Sequence, residues 1–135
     1  MDTTIEQIGD GSTAVLSVSG ELDASNFQGL IDVARELRAA GTRHLVIDLS
    51  GLSYMASSGL VALYSIAVIM RGGEAPDPEE GWSAFHAIGT DSETGSDKSV
   101  KLLGPQPQVS RVLERTGLTR FFDVYLDRES ALASF

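Results

Sequence analysis

Ser57, Ser58 and Gly59 stand where an apolar strand pattern gives way to an apolar helix pattern. They close the run Asp48-Leu49-Ser50-Gly51-Leu52-Ser53-Tyr54-Met55-Ala56-Ser57-Ser58-Gly59. A helix N-terminus offers unpaired N–H groups and the positive end of the helix dipole. A phosphate on Ser57, with a charge of about −1.5 to −2, would sit favourably there and alter the surface without unfolding the domain. The competing reading is capping, in which Ser57 or Ser58 accepts a backbone N–H of the first turn; the two roles can coexist. The run also leaves the carboxyl end of a buried strand, the place where sheets with helical crossovers bind ligands and partners.

No catalytic set assembles from the remaining residues. Glu21 and Asp23 lie together at a strand-to-helix turn, where acids are commonly solvated or capping. His44 opens a strand with no acid, serine or metal partner implied beside it, and His86 has no second ligand at metal-site spacing. The absence of cysteine excludes a disulfide frame, a thiol nucleophile and a Cys-ligated zinc or iron–sulfur site. Gly72-Gly73 does not follow a strand and open a helix, so it is no phosphate loop. A small enzyme would need a base, a nucleophile–base pair or such a loop. A receiver domain would need clustered acids and a distal lysine around an acceptor such as Asp48. The expectation is therefore a non-enzymatic protein without cofactor or metal. Nineteen acids against ten Lys plus Arg give a formal charge of −9, which disfavours nucleic acid and anionic lipid as partners.

The elements that must position these residues read clearly. The chain has 135 residues, 42% of them apolar and 21% charged, the profile of one folded domain over 1–135. Ile5–Ile8 and Thr13–Ser19 flank Gly9-Asp10-Gly11 as a hairpin. Ser25-Asn26-Phe27-Gln28 reads as a capping box. The helix it opens carries Phe27, Leu30, Ile31, Ala34 and Leu37 at helical spacing and ends at Gly41. His44–Leu49 is a strand apolar enough to be buried on both faces. The helix from Ser57 to about Arg71 has almost no polar side, so something must cover it all round. That leaves room for a homodimer. Residues 72–98 form an acidic excursion with five Gly, two Pro and seven acids against one base. Within it, Trp82, Phe85 and Ile88 fit a short amphipathic turn lying on the second helix.

Val100–Leu103 is a further strand, and Pro107 suits the first turn of a helix whose stripe is Val109, Val112, Leu113 and Thr116. Gly117-Leu118 reads as a left-handed cap, Phe121–Tyr125 as a last strand, and Asp127 as the cap of a short terminal helix. Helices alternating with strands after an opening hairpin give an α/β (α+β) sandwich. Its sheet is mixed and largely parallel, of about five strands, with four helices. The longest apolar run, Leu60–Met70, is far short of the roughly 20 residues that span a bilayer. The polar start Met1-Asp2-Thr3-Thr4 carries no secretory pattern, so no membrane insertion and a cytoplasmic location are expected.

Three stretches carry a family resemblance. Val18-Ser19-Gly20-Glu21-Leu22-Asp23-Ala24, the run from Leu45 to Leu60, and Pro107 to Leu118 together resemble the STAS family, the sulfate transporter and anti-sigma factor antagonist domains. The likeness runs from about residue 5 to 71 and again from 99 to 135. It implies an anti-sigma factor antagonist working by partner switching. Such a protein binds an anti-sigma factor/serine kinase when unmodified. It is released when that kinase phosphorylates a serine at the start of the second helix, and a PP2C-type phosphatase reverses the change. Carried onto this chain, the phosphoacceptor is Ser57. The partner surface is Glu21, Asp23, Ser53, Tyr54, Met55, Ala56, Ser58 and Gly59. The chain departs from the family twice. Ala56 stands where the common Asp-Ser-Ser-Gly pattern has its carboxylate, and residues 72–98 replace a short loop. Both departures fit the alternative, a STAS scaffold or soluble partner module of a transport or signalling complex that is never phosphorylated.

Overall fold

Ala14, Leu16 and Val18 alternate along one strand with Val15, Ser17 and Ser19, and the sheet is organised around that alternation. The computed structural model describes residues 1–72 and 99–135. Strand β1 (Asp2–Ile8) turns at Gly9 and Gly11, both at positive φ, into β2 (Thr13–Leu22). There follow helix α1 (Phe27–Ala39), β3 (His44–Met55), α2 (Ser57–Met70), β4 (Val100–Leu103) and α3 (Pro107–Thr116). A single turn α4 (Leu118–Phe121), β5 (Val124–Tyr125) and α5 (Arg128–Ala133) complete the described order. The strands lie β1-β2-β3-β4-β5, with β1 antiparallel to β2 and every other pair parallel. This is the mixed, largely parallel α/β sandwich expected from the sequence, with one extra helical turn at α4.

The two faces of the sheet are unequal. Ala14, Leu16, Val18, Leu45, Ile47 and Leu102 pack with Leu30, Ala34, Leu63 and Leu113 in the main core beneath α1, α2 and α3. Val15, Val46 and Leu103 point the other way, into a smaller cluster closed by Ala131 of α5. Helix α2 is enclosed over most of its length: α1 lies beside it, β3 and β4 lie under it, and the Tyr64 ring meets Phe121 at 5.7 Å. The Arg38 guanidinium on α1 donates to the Met70 carbonyl at 3.0 Å, serving the C-terminal end of α2. The expected turn at Trp82, Phe85 and Ile88 lies outside the described residues.

Several details differ from the sequence reading: β1 begins at Asp2 rather than Ile5, and β2 runs on to Leu22 rather than ending at Ser19. Strand β3 does not stop at Leu49; it runs beside β2 as far as Leu22↔Met55. Register shifts between Ser17 and Ser19 and between Gly20 and Glu21 break the period of two. As a result Leu49, Leu52 and Met55, three apart, are all buried. The capping box at Ser25 does not form. Asn26 occupies the cap position without a side-chain cap bond, and the Ser25 N–H and O–H both donate to the Asp23 carboxylate. The last strand does not begin at Phe121. Phe121 and Phe122 are both buried and meet edge to face at 4.8 Å. A flat strand would send two successive side chains to opposite faces, whereas the α4 turn, closed by Phe122 N–H to Leu118 O at 2.8 Å, keeps both inside. Gly117 at φ +79° makes the expected left-handed cap, and Asp127 caps α5 by accepting from Ser130 N–H at 2.9 Å.

The passage from β3 to α2 takes one residue, Ala56, and depends on close packing. A Cβ on Gly59 would meet Met55 Sδ at 3.0 Å and Leu22 Cδ2 at 3.1 Å. Lys101 is a second unusual position. It lies on β4 with its side chain 5% exposed, and its ammonium donates to Asp123 at 2.9 Å and stands 5.9 Å from the Phe135 ring centre.

Two outcomes follow from this packing. Gly59→Ala should destabilise, because overpacking of about 1–3 kcal/mol outweighs the roughly 1 kcal/mol by which alanine favours a helix. Adding Met55→Ala should make the Gly59 change cheaper than it is alone, as a double-mutant cycle by urea denaturation can measure. Asp123→Ala should cost about 1–3 kcal/mol, since it strands a buried ammonium, whereas Lys101→Met should stay within about 1 kcal/mol of the parent. The reverse order of urea midpoints would contradict the pairing as described.

Candidate functional site

The residues singled out in the sequence meet at one end of the sheet, where β2, β3 and the start of α2 converge. Ala56 N–H donates to Leu22 O at 2.9 Å, and Ser53 Oγ donates to Gly20 O at 3.0 Å, stitching the end of β3 to β2. The adjoining turn is equally tied. Asn26 donates from its side-chain amide to Glu21 O at 2.9 Å and accepts Asp23 N–H at 3.0 Å. The Ser25 hydroxyl, and then its backbone N–H, hold the Asp23 carboxyl below the ordinary aspartate value of 3.8. Asp23 is therefore a fixed anion at neutral pH, with exposed Glu21 beside it.

Ala56, with φ −81° and ψ 171°, is the cap residue of α2, and no side-chain cap bond forms there among the described residues. The capping reading of Ser57 and Ser58 is thus not what the fold uses. Ser57 is the first helical residue and is exposed, and no hydrogen bond among the described residues holds its hydroxyl. Ser58 is half-buried, and its Oγ is buried without a hydrogen-bond partner among the described residues. Met55 and Gly59 are inside, Ala56 is half-buried, and Ser53 and Tyr54 face solvent, with Tyr54 44% exposed. Of the expected surface, Glu21, Asp23, Ser53, Tyr54 and Ser57 can therefore touch a partner directly. Met55 and Gly59 lie buried beneath that surface.

Two residues with a role here gave no signal in the sequence. Gln106 Nε2 donates to Ser50 O at 2.7 Å, and Gln108 Oε1 accepts Met55 N–H at 3.1 Å. They precede or open α3 and clasp the β3 extension from the side opposite β2. Glutamine next to Pro107 reads as ordinary helix entry, so only the three-dimensional arrangement exposes the clasp.

The other candidates lie elsewhere. His44 stacks on Phe135 at 4.8 Å, at the far end of β3, and His86 is outside the described residues. Among the described residues no group of three His, Cys, Asp or Glu is placed to hold a metal. An open cleft by Pro105, Ser110, Glu114, Asp123 and Tyr125 lies between α3 and β5, away from Ser57. Among the described residues no helix is long and apolar enough to cross a membrane.

No curated protein matches this sequence. Solved structures do match in fold. An anti-sigma factor antagonist from Mycobacterium paratuberculosis superposes with a TM-score of 0.68 at 24% identity, covering 98% of this chain and 92% of that one. A Thermotoga maritima protein gives 0.70 at 18% identity, over 97% and 92%. The Bacillus cell fate determinant SpoIIAA in its phosphorylated form gives 0.57 at 16% identity, over 99% and 100%. At these identities the likeness is one of fold. The sequence itself matches the family described as Mlab, STAS domain over residues 6–74. That span runs from the end of β1 through α2, includes the elements that build the Ser57 junction, and takes in more than half of the chain; the protein belongs to the STAS domain family.

Proposed function

We propose that this STAS domain is an anti-sigma factor antagonist that works by partner switching, with Ser57 as the phosphoacceptor. The observation that carries the reading is the Ser57 hydroxyl, exposed and without a hydrogen bond among the described residues, on the first residue of α2. A kinase can reach it without unfolding the domain. Two structural neighbours lend support: an anti-sigma factor antagonist in Mycobacterium paratuberculosis, and SpoIIAA of Bacillus in a phosphorylated form. The partners would be an anti-sigma factor/serine kinase and a PP2C-type phosphatase, in the cytoplasm, and the domain itself would catalyse nothing.

Charge and contact supply the mechanism. Unmodified, the surface of Ser57, Ser53, Tyr54 and the Glu21–Asp23 turn docks closely, and Tyr54 offers a rigid amphipathic ring of the kind that anchors interfaces. Phosphorylation adds about −1.5 to −2 charges. The fold tolerates them, because the first-turn N–H groups and helix dipole of α2 favour an anion there. The interface would not, because a dianion brought into close contact must lose its water, which costs more than a typical contact recovers. The fixed Asp23 carboxylate and Glu21 add charge of the same sign to that surface. Ala56 supports a second reading, a STAS module bound constitutively and never modified, because the carboxylate common at this position is missing.

Ser57→Asp is the direct test. Titrated against a cognate anti-sigma factor/serine kinase, it should bind at least about tenfold more weakly than the parent, a loss of about 1.4 kcal/mol. Its melting temperature should move little. Equal affinities would remove the switch from Ser57.

A further inference from the structure

Strand β3 outlives its neighbour. Its pairing with β4 ends at Asp48↔Leu103, yet β3 continues to Met55. On the β2 side that extension stays paired as far as Met55. On the β4 side two glutamine side chains take the place of a strand, Gln106 on the Ser50 carbonyl at 2.7 Å and Gln108 on the Met55 N–H at 3.1 Å. The second bond has the greater reach. Met55 N–H is held from α3, and the next amide, Ala56 N–H, is held from β2 by Leu22 O at 2.9 Å. Two successive peptide groups are thus gripped from opposite sides immediately before Ser57, and the helix starts with no side-chain cap to fix it otherwise.

We infer that Gln108 is a positioning residue for Ser57: its carboxamide oxygen fixes the peptide that sets how the first turn of α2 presents the Ser57 hydroxyl. This role rests on the reading of Ser57 as the working group of the site, but it can be measured without any kinase. The chain contains no cysteine, so Ser57→Cys introduces the sole thiol. A thiol on the first turn of an ordered helix is acidified, and its alkylation rate against pH reports that ordering.

The experiment compares iodoacetamide alkylation of Ser57→Cys alone with Ser57→Cys carrying Gln108→Leu. Met55 amide exchange is followed by NMR in both and in Gln108→Glu. Gln108→Leu should speed Met55 exchange about fivefold or more, the scale of one hydrogen bond. It should also move the alkylation midpoint to higher pH as the first turn loosens. Gln108→Glu keeps an acceptor oxygen at the same reach and should retain the parent's Met55 protection. Gln108→Ala serves in place of the leucine variant if the latter does not fold. An alkylation profile that superimposes on the parent, or a glutamate variant that loses protection as the leucine variant does, would overturn the assignment. A chain that shows the shift yet takes no phosphate keeps Gln108 as a positioning residue and loses only the partner switch.

Discussion

The end of β3 must stay buried and yet become a helix within a single residue. Met55 is inside the core, Ala56 has an extended backbone, and Ser57 is already helical. Such an abrupt change holds only if the Met55 side chain occupies the space that a residue one turn into the helix would otherwise fill. Gly59 leaves that space open, and Leu22 closes it from β2. The site inherits its rigidity from this contact. With Met55 locked inward, the chain has to emerge at Ala56, and the first outward-facing group of α2 is the Ser57 hydroxyl.

The rest of the molecule holds that junction against its surroundings. α1 and the sheet enclose α2, and Arg38 ties the far end of α2 to α1. Two extra residues in β3 shift its register against β2, and β3 continues past β4, which places the Glu21–Asp23 turn and the Ser53–Ser57 segment on one surface. Of the anions on that surface, Asp23 is held by local hydrogen bonds from Ser25. An acidic rim tied by hydrogen bonds, with exposed Tyr54 and the Ser57 hydroxyl beside it, would suit recognition that a single added charge can cancel.

Much of this was legible in the residues themselves. Alternation at Ala14–Val18, the helical spacing of Leu30, Ile31, Ala34 and Leu37, and the Gly117-Leu118 cap each mark an element through its period or its turn chemistry. Ser57 stood out because a helix opens there after a buried strand. Three features resisted. The Ser50–Met55 stretch has strand neighbours but no period of two, because the bulges turn every third residue inward, so it reads as a loop. Ser25 looks like a cap, but the Asp23 carboxylate two residues before it accepts its N–H and O–H. The glutamine clasp joins residues 53 and 56 apart in sequence through side chains with no distinctive pattern.

The central claim is that the Ser57 oxygen is the group another protein modifies. Incubation of the folded protein with ATP and a cognate anti-sigma factor/serine kinase, followed by tandem mass spectrometry of the peptides, tests it most directly. The account predicts one phosphate, carried on Ser57. A phosphate on a different residue, or a kinase that binds the protein tightly and leaves it unmodified, would contradict it.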